Sequence, residues 1–270
     1  MSLMRFIRAL GLVLLLCAVL PAQWLNYPTR NVPRKADGTP DLLAPAARAA
    51  DGHPDFSGLW LAERNRPCPK EGCDDMEIGQ EFLNIGWSLK EGLPFQPWAA
   101  QLVRARRAEN DVGDPSARCL PMGLVRIHTN PFYRRIVQTP DLIVLISERD
   151  GHHRRIFMDG RPLPVDPSPT LYGYSTGHWD GDALVVETNG FSDGQWLDRF
   201  GSPLTDRAKM TERFRRPNFG NMTIVLTVED LKAYTKPWTV TLQQNIALNT
   251  EMIDFFCVEN EKDSRHLVGK

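Results

Sequence analysis

Three glutamates fall where an alternating pattern sets a polar group among apolar neighbours. Glu148 is in phase with Leu142, Val144 and Ile146, Glu187 with Ala183 and Val185, and Glu212 lies between Met210 and Phe214. Residues two apart in a strand share a face, so each carboxylate is predicted on the apolar side. There it must be paired, hydrogen-bonded or protonated. Converging in an interior, one with a raised pKa would serve as a general acid or base. The alternative is ion pairing with arginines such as Arg135, Arg155 or Arg213, which holds a strand register without chemistry. His178, beside Trp179 and just before a turn, is placed to shuttle protons at a rim; otherwise it is an exposed turn residue. Glu212, Glu187 and His178 are therefore the candidate catalytic residues, with Glu148 and Arg213 as polar contacts for a ligand.

Trp60, Tyr172, Tyr174, Trp179, Trp196, Tyr234 and Trp238 supply aromatic surface around predicted hairpins. Small-molecule pockets are lined this way, and so are filled cores. The Asn189–Asp206 connection is long enough for a lid or binding loop, with Asp193, Trp196 and Asp198 its most informative residues. His152-His153 reads as a solvated turn, and His128 sits in an irregular segment without signal. The chain carries no P-loop, G-x-G-x-x-G, G-x-S-x-G or H-E-x-x-H, which withdraws support from nucleotide, dinucleotide, α/β-hydrolase and zincin readings. Glu259, Asp263 and His266 would share one face of a closing helix (Glu259–Leu267), a spacing that more simply serves the helix dipole. No metal and no cofactor is expected.

These side chains need a frame, and the turn signals define it. Asp150-Gly151, Asp180-Gly181, Pro217–Gly220 and Asn249-Thr250 separate runs of period two. The predicted strands are Phe56–Leu61, Tyr133–Thr139, Leu142–Arg149, His153–Met158, Tyr172–Trp179, Asp182–Thr188, Ala208–Arg216, Asn221–Glu229, Trp238–Leu248 and Glu251–Val258. About ten strands joined by tight turns are antiparallel neighbours and imply an all-β closed barrel; a β-sandwich is the alternative. One helix is predicted from Gln96-Pro97 to near Asn110, with Trp98, Leu102 and Ala105 recurring on one side. Residues 24–55 form an extended Pro-rich arm in which Asp37-Gly-Thr-Pro-Asp-Leu42 is echoed by Asp51-Gly-His-Pro-Asp-Phe56. Residues 56–270 form a single barrel domain.

The 270 residues carry 32 Lys+Arg against 33 Asp+Glu, a net charge of −1. No basic excess exists to neutralise phosphates, so no nucleic-acid partner is expected. Residues 1–23 read as a secretory signal: Arg5 and Arg8 precede an uncharged run of 14 residues, Ala9–Ala22, shorter than a bilayer span. An uncleaved anchor is the alternative, and no later segment reads as a span. Removal of the signal leaves Cys68, Cys73, Cys119 and Cys257, an even number that suits disulfides in an exported chain. Three connectivities are open. The tight Pro/Gly loop favours Cys68 with Cys73, which leaves Cys119 with Cys257. A periplasmic or secreted location follows.

Gly58-Leu59-Trp60 resembles the Gly-x-Trp signature of lipocalins on a first strand. More of the chain resembles a large family of secreted bacterial proteins, through Asp159-Gly-Arg-Pro162, Trp179-Asp-Gly-Asp-Ala-Leu-Val-Val-Glu-Thr188, Trp196-Leu-Asp198, Lys232-Ala-Tyr-Thr-Lys-Pro-Trp238 and Glu259-Asn260. The Gly-x-Trp resemblance implies a lipocalin-like barrel, and the family resemblance carries no activity with it. The family pattern has Gly-His-Pro-His before the strand near Ala208; here the stretch is Gly201-Ser202-Pro203-Leu204, so any chemistry of those histidines is lost. Three functions remain open: a binding protein enclosing a small hydrophobic or aromatic compound; a lyase, isomerase or hydrolase using a lumenal glutamate; and an envelope interaction protein contacting a partner through its arm.

Overall fold

The computed structural model describes residues 27–65, 78–109, 112–149 and 151–257. The signal segment, the Cys68–Cys73 pairing and the closing helix lie outside them. Nine strands close into a barrel: β1 (Gly58–Ala62), β2 (Arg134–Gln138), β3 (Leu142–Ser147), β4 (His153–Phe157), β5 (Tyr174–Asp180), β6 (Ala183–Asn189), β9 (Lys209–Arg215), β10 (Asn221–Glu229) and β11 (Trp238–Ile246). The ring order is β1-β11-β10-β9-β6-β5-β4-β3-β2. Two short strands, β7 (Gln195–Trp196) and β8 (Pro203–Leu204), form a separate ribbon between β6 and β9. The all-β barrel expected from the turn spacing is thus the fold.

Alternation builds the wall. In β10, Met222, Ile224, Leu226 and Val228 are buried and their neighbours face outward. Across the ladder they meet Phe214 and Met210 of β9 and Leu242, Val240 and Trp238 of β11. Burying a side chain of this size is worth about 1.5–3 kcal/mol, so slipping the register by one would forfeit the whole row. The lumen is filled by these side chains, with Trp60, Ile143, Ile156 and Val186, as one packed core.

Three features depart from the reading of the sequence. The β4–β5 pair is parallel and only Ile156–Ser175 and Phe157–Thr176 are in register; the connection from Met158 to Gly173 returns to the starting end of the barrel instead of turning back as a hairpin. The described part of the expected last strand, residues 251–257, is irregular, and β11 closes the sheet. It is held by the Ile253 N–H donating to Glu148 Oε1 (3.0 Å) and by a disulfide between Cys119 and Cys257. Finally, a short helix occupies the irregular segment around His128.

That helix is α3 (Leu124–Thr129); α1 spans Gln80–Leu83 and α2 Pro97–Ala108. All six residues of α3 are buried. Its last carbonyls have no helical donors; lumenal side chains serve them instead, Arg134 donating to Ile127 O and Gln244 Nε2 to His128 O at 3.0 Å. α3 is therefore tied to the inner side of β2 and β11. α2 begins on Pro97 as expected, but it buries Ala99 and Val103; Trp98 is exposed and its indole donates to Lys232 O (2.8 Å).

The arm is fastened to the barrel. Arg48 forms a two-nitrogen pair with Asp182 (2.6 and 2.8 Å), His53 stacks on Trp179 at 4.3 Å, and Phe219 N–H donates to Ala44 O. Its sequence echo is a structural repeat: Arg34 donates to Gly38 O and Arg48 to Gly52 O, closing two alike turns.

Candidate functional site

Among the apolar lumenal side chains lies one charged cluster. Glu212, in phase with Met210 and Phe214, points inward from β9 and is fully buried. Arg154, inward from β4, donates to both its carboxylate oxygens, through Nη1 at 3.0 Å and through Nη2. His128, carried in by α3, meets Glu212 Oε1 from Nε2 at 2.8 Å. Arg154 also donates from Nε to Ser175 Oγ (3.1 Å) and from Nη2 to Thr188 Oγ1 (2.9 Å), and those two hydroxyls are 2.9 Å apart. A buried ion pair persists only when its remaining hydrogen-bonding capacity is met, and Arg154 meets that condition at every nitrogen.

The charges follow from the geometry. Burial pushes the Glu212 carboxyl up, but the Arg154 charge and the His128 hydrogen bond outweigh it and bring it down to about 2. Burial lowers His128, which is therefore neutral at pH 7. An ionised carboxylate only accepts, so Nε2 carries the His128 proton and donates it. Nδ1 is then a bare lone pair, buried and without a partner among the described residues. Burial also pulls Arg134 down to about 9, still charged at neutral pH.

Arg154 and Ser175, themselves buried, also border a cleft at the β4–β5 seam; Glu212 and His128 do not reach it. The parallel ladder covers only two pairs, so beyond Ile156 and Ser175 the strands separate towards their starting ends. A cleft of about 470 Å³ lies there, backed by Arg154 and Ser175 and flanked by Tyr172, Tyr174, Phe157 and Arg155. Phe157 and Tyr174 stack at 5.2 Å, and Arg161 lies over Phe157 at 4.0 Å while donating to Tyr174 Oη at 3.1 Å. Gly173 lets the cleft wall close: its φ is 64°, and a Cβ there would come within 2.6 Å of Asn189 O.

The other expected site residues are dispersed. Glu187 and His178 are exposed on the outer face, so neither joins Glu212. In β6 both parities are apolar at its start, and Val186 and Thr188, not Val185 and Glu187, face the lumen. Glu148 is also outside the lumen, because Ile143, Leu145 and Ser147 take the inward positions; it accepts from Tyr133 N–H (3.1 Å) and Ile253 N–H, anchoring the chain end. Arg213 pairs with Asp180 on the outer surface. Trp60 is core and donates to Phe56 O at 2.9 Å; Tyr234 is core and donates to Pro203 O at 2.7 Å. Trp179 packs under the arm and Trp196 under Arg106. Trp238 borders a separate depression beside Leu89 and Pro94. Tyr172 and Tyr174 alone of the expected aromatic set reach the seam cleft.

The long connection is no lid: Asp198 is buried and accepts from Ile85 N–H, Ser202 N–H and Ser202 Oγ at 2.7–3.0 Å. Ser202 and Leu204 are buried too. Arg154 and His128 escaped the sequence reading. Arg154 stands in an unbroken polar run, His152-His-Arg-Arg155, and His128 in a helix too short to show a period. Among the described residues no group of three or more His, Cys, Asp or Glu is arranged to hold a metal ion, and no helix is long and apolar enough to cross a membrane. No protein-family model matches the chain, and no curated protein matches it at a significant level.

Proposed function

We propose that this is an exported binding protein that takes a small aromatic or hydrophobic compound into the seam cleft, not into the lumen. The observation that carries the reading is the cleft itself: about 470 Å³, walled by Tyr172, Tyr174 and Phe157, with a fully hydrogen-bonded arginine at its back. Pockets of roughly 300–1,000 Å³ with aromatic walls and a few fixed polar groups suit small ligands. The filled lumen supports the shift from interior to rim, and the Cys119–Cys257 disulfide is compatible with export to an oxidising compartment. The arm's contacts with the barrel weaken the reading in which it serves a partner. Native mass spectrometry of protein purified from its own host tests the proposal. A retained organic compound of small mass, lost from a Tyr174→Ala variant, is expected; a ligand equally retained by that variant places binding elsewhere.

A second reading, acid–base catalysis, draws on the bare Nδ1 of His128. It makes His128 the base and leaves Glu212 ionised as its orienting partner, since both Glu212 oxygens are engaged. If a turnover is found, His128→Gln should abolish it, and a first-order loss of rate with acidification should follow protonation of that histidine.

A further inference from the structure

We propose that the compound bound in the seam cleft is an aromatic anion, a ring bearing a carboxylate, with Arg155 as its counter-ion; this rests on the cleft being the binding site. The cleft wall holds His153, Arg154 and Arg155 and no aspartate or glutamate. The two arginines are not equivalent. The charge of Arg154 is answered by Glu212, and all three of its guanidinium nitrogens are engaged inside the barrel. Arg161, at the edge, is answered by Asp159. Arg155 has no such partner: no described carboxylate pairs with it, and its guanidinium carbon lies 5.8 Å from the centre of the Phe157 ring.

Strand geometry sets this division. Arg154 and Arg155 are consecutive on β4, so one side chain turns into the lumen and the other out. Beyond Ile156 β5 has moved off, so the two arginines border one opening from opposite sides of the wall. The inner one is fixed, and the outer one is available to a ligand. Beside it the Phe157–Tyr174 stack and Tyr172 offer flat apolar area. A planar ring with an anionic end matches both: the ring lies against the tyrosine side, and the carboxylate meets the guanidinium fork in the two-bond manner that arginine favours. A cationic ligand would be repelled, and a neutral one would leave the charge unanswered.

The test is isothermal titration calorimetry at pH 7 with three probes of one shape: 2-naphthoate, 2-naphthamide and 2-naphthylmethylamine. Naphthoate should bind at least tenfold more tightly than the amide, the amine should not bind, and added salt should weaken naphthoate alone. Arg155→Gln should bring naphthoate down to the level of the amide, Arg155→Lys should restore part of the difference, and circular dichroism should show all variants folded, since Arg155 is exposed. Equal binding of naphthoate and amide would overturn the anion while leaving the cleft intact. Naphthoate binding that survives both Arg155→Gln and Tyr174→Ala would overturn it by placing the ligand elsewhere. Absence of binding by all three probes would remove the anion and the aromatic cleft together.

Discussion

Glu212 is the residue on which the interior depends, and its chemistry differs from that of a general acid. A proton donor needs a raised pKa; this carboxyl is held down at about 2 by Arg154 and His128. Its task is to neutralise a buried guanidinium. Glu212→Gln would leave Arg154 charged and unpaired in an apolar surround, a change that costs about 3–5 kcal/mol. Urea unfolding should show the midpoint falling with an unchanged slope; an unchanged midpoint would show that the pair does not stabilise the fold. The same pair predicts a response to acid. A carboxyl that titrates at about 2 in the fold and near 4.5 when unfolded stabilises fully above 4.5, and that contribution is lost as pH falls towards 2. Its size is on the order of 3 kcal/mol. His128 acts in the same direction: lowered by burial, it stays neutral while the unfolded chain takes up a proton below about 6.5. Stability measured by urea should decline steadily from pH 7 to pH 3. A flat or rising profile would contradict the pairing.

At the scale of elements, the β5–β6 and β9–β10 hairpins are legible because their turns are written in Asp180-Gly181 and Pro217–Gly220 between alternating strands, whereas the turn signal at Asn249-Thr250 leads into an irregular segment and not a strand. In β10 burial alternates along the whole strand, Val225 being the one apolar residue on the outer side, and its predicted limits are its observed ones. Parity was the obstacle elsewhere. Leu142-Ile-Val-Leu-Ile146 is apolar at every position, so nothing in its letters says which side faces the lumen, and Glu148, in phase with Leu142, lies on the outer side. The start of β6 misassigned Glu187 for the same reason. The inward phase of Glu212 is legible because Thr211 and Arg213, its immediate neighbours, are polar. The cleft could not be read at all, since it arises where a ladder stops, and no residue encodes a missing rung. Its shape nonetheless has a local requirement. Gly173→Ala would place a Cβ against Asn189 O and Thr188 Cγ2 in a left-handed conformation, at a cost of about 1–3 kcal/mol. The expected outcome is a lower thermal midpoint together with loss of naphthoate affinity; retention of both would show that the wall is not packed as described.

For the molecule as a whole, two long-range ties matter: the arm clamped to the Asp182 turn and the disulfide joining residues 138 apart in sequence. Closing a loop of that length restricts the unfolded chain by about 5 kcal/mol in the chain-entropy treatment. Reduction, or Cys119→Ser with Cys257→Ser, should lower the thermal midpoint by several degrees; free thiols at both positions in the unreduced protein would remove this tie. The strand count has a deeper consequence. Walking once round a ring of nine staves, direction cannot reverse at every joint and still return to its starting sense, because nine is odd. One like-directed joint is compulsory, and here it is the shortest ladder in the wall. Deuterium should enter the amides of β4 and the start of β5 before those of β9 and β10, marking where the hoop is weakest.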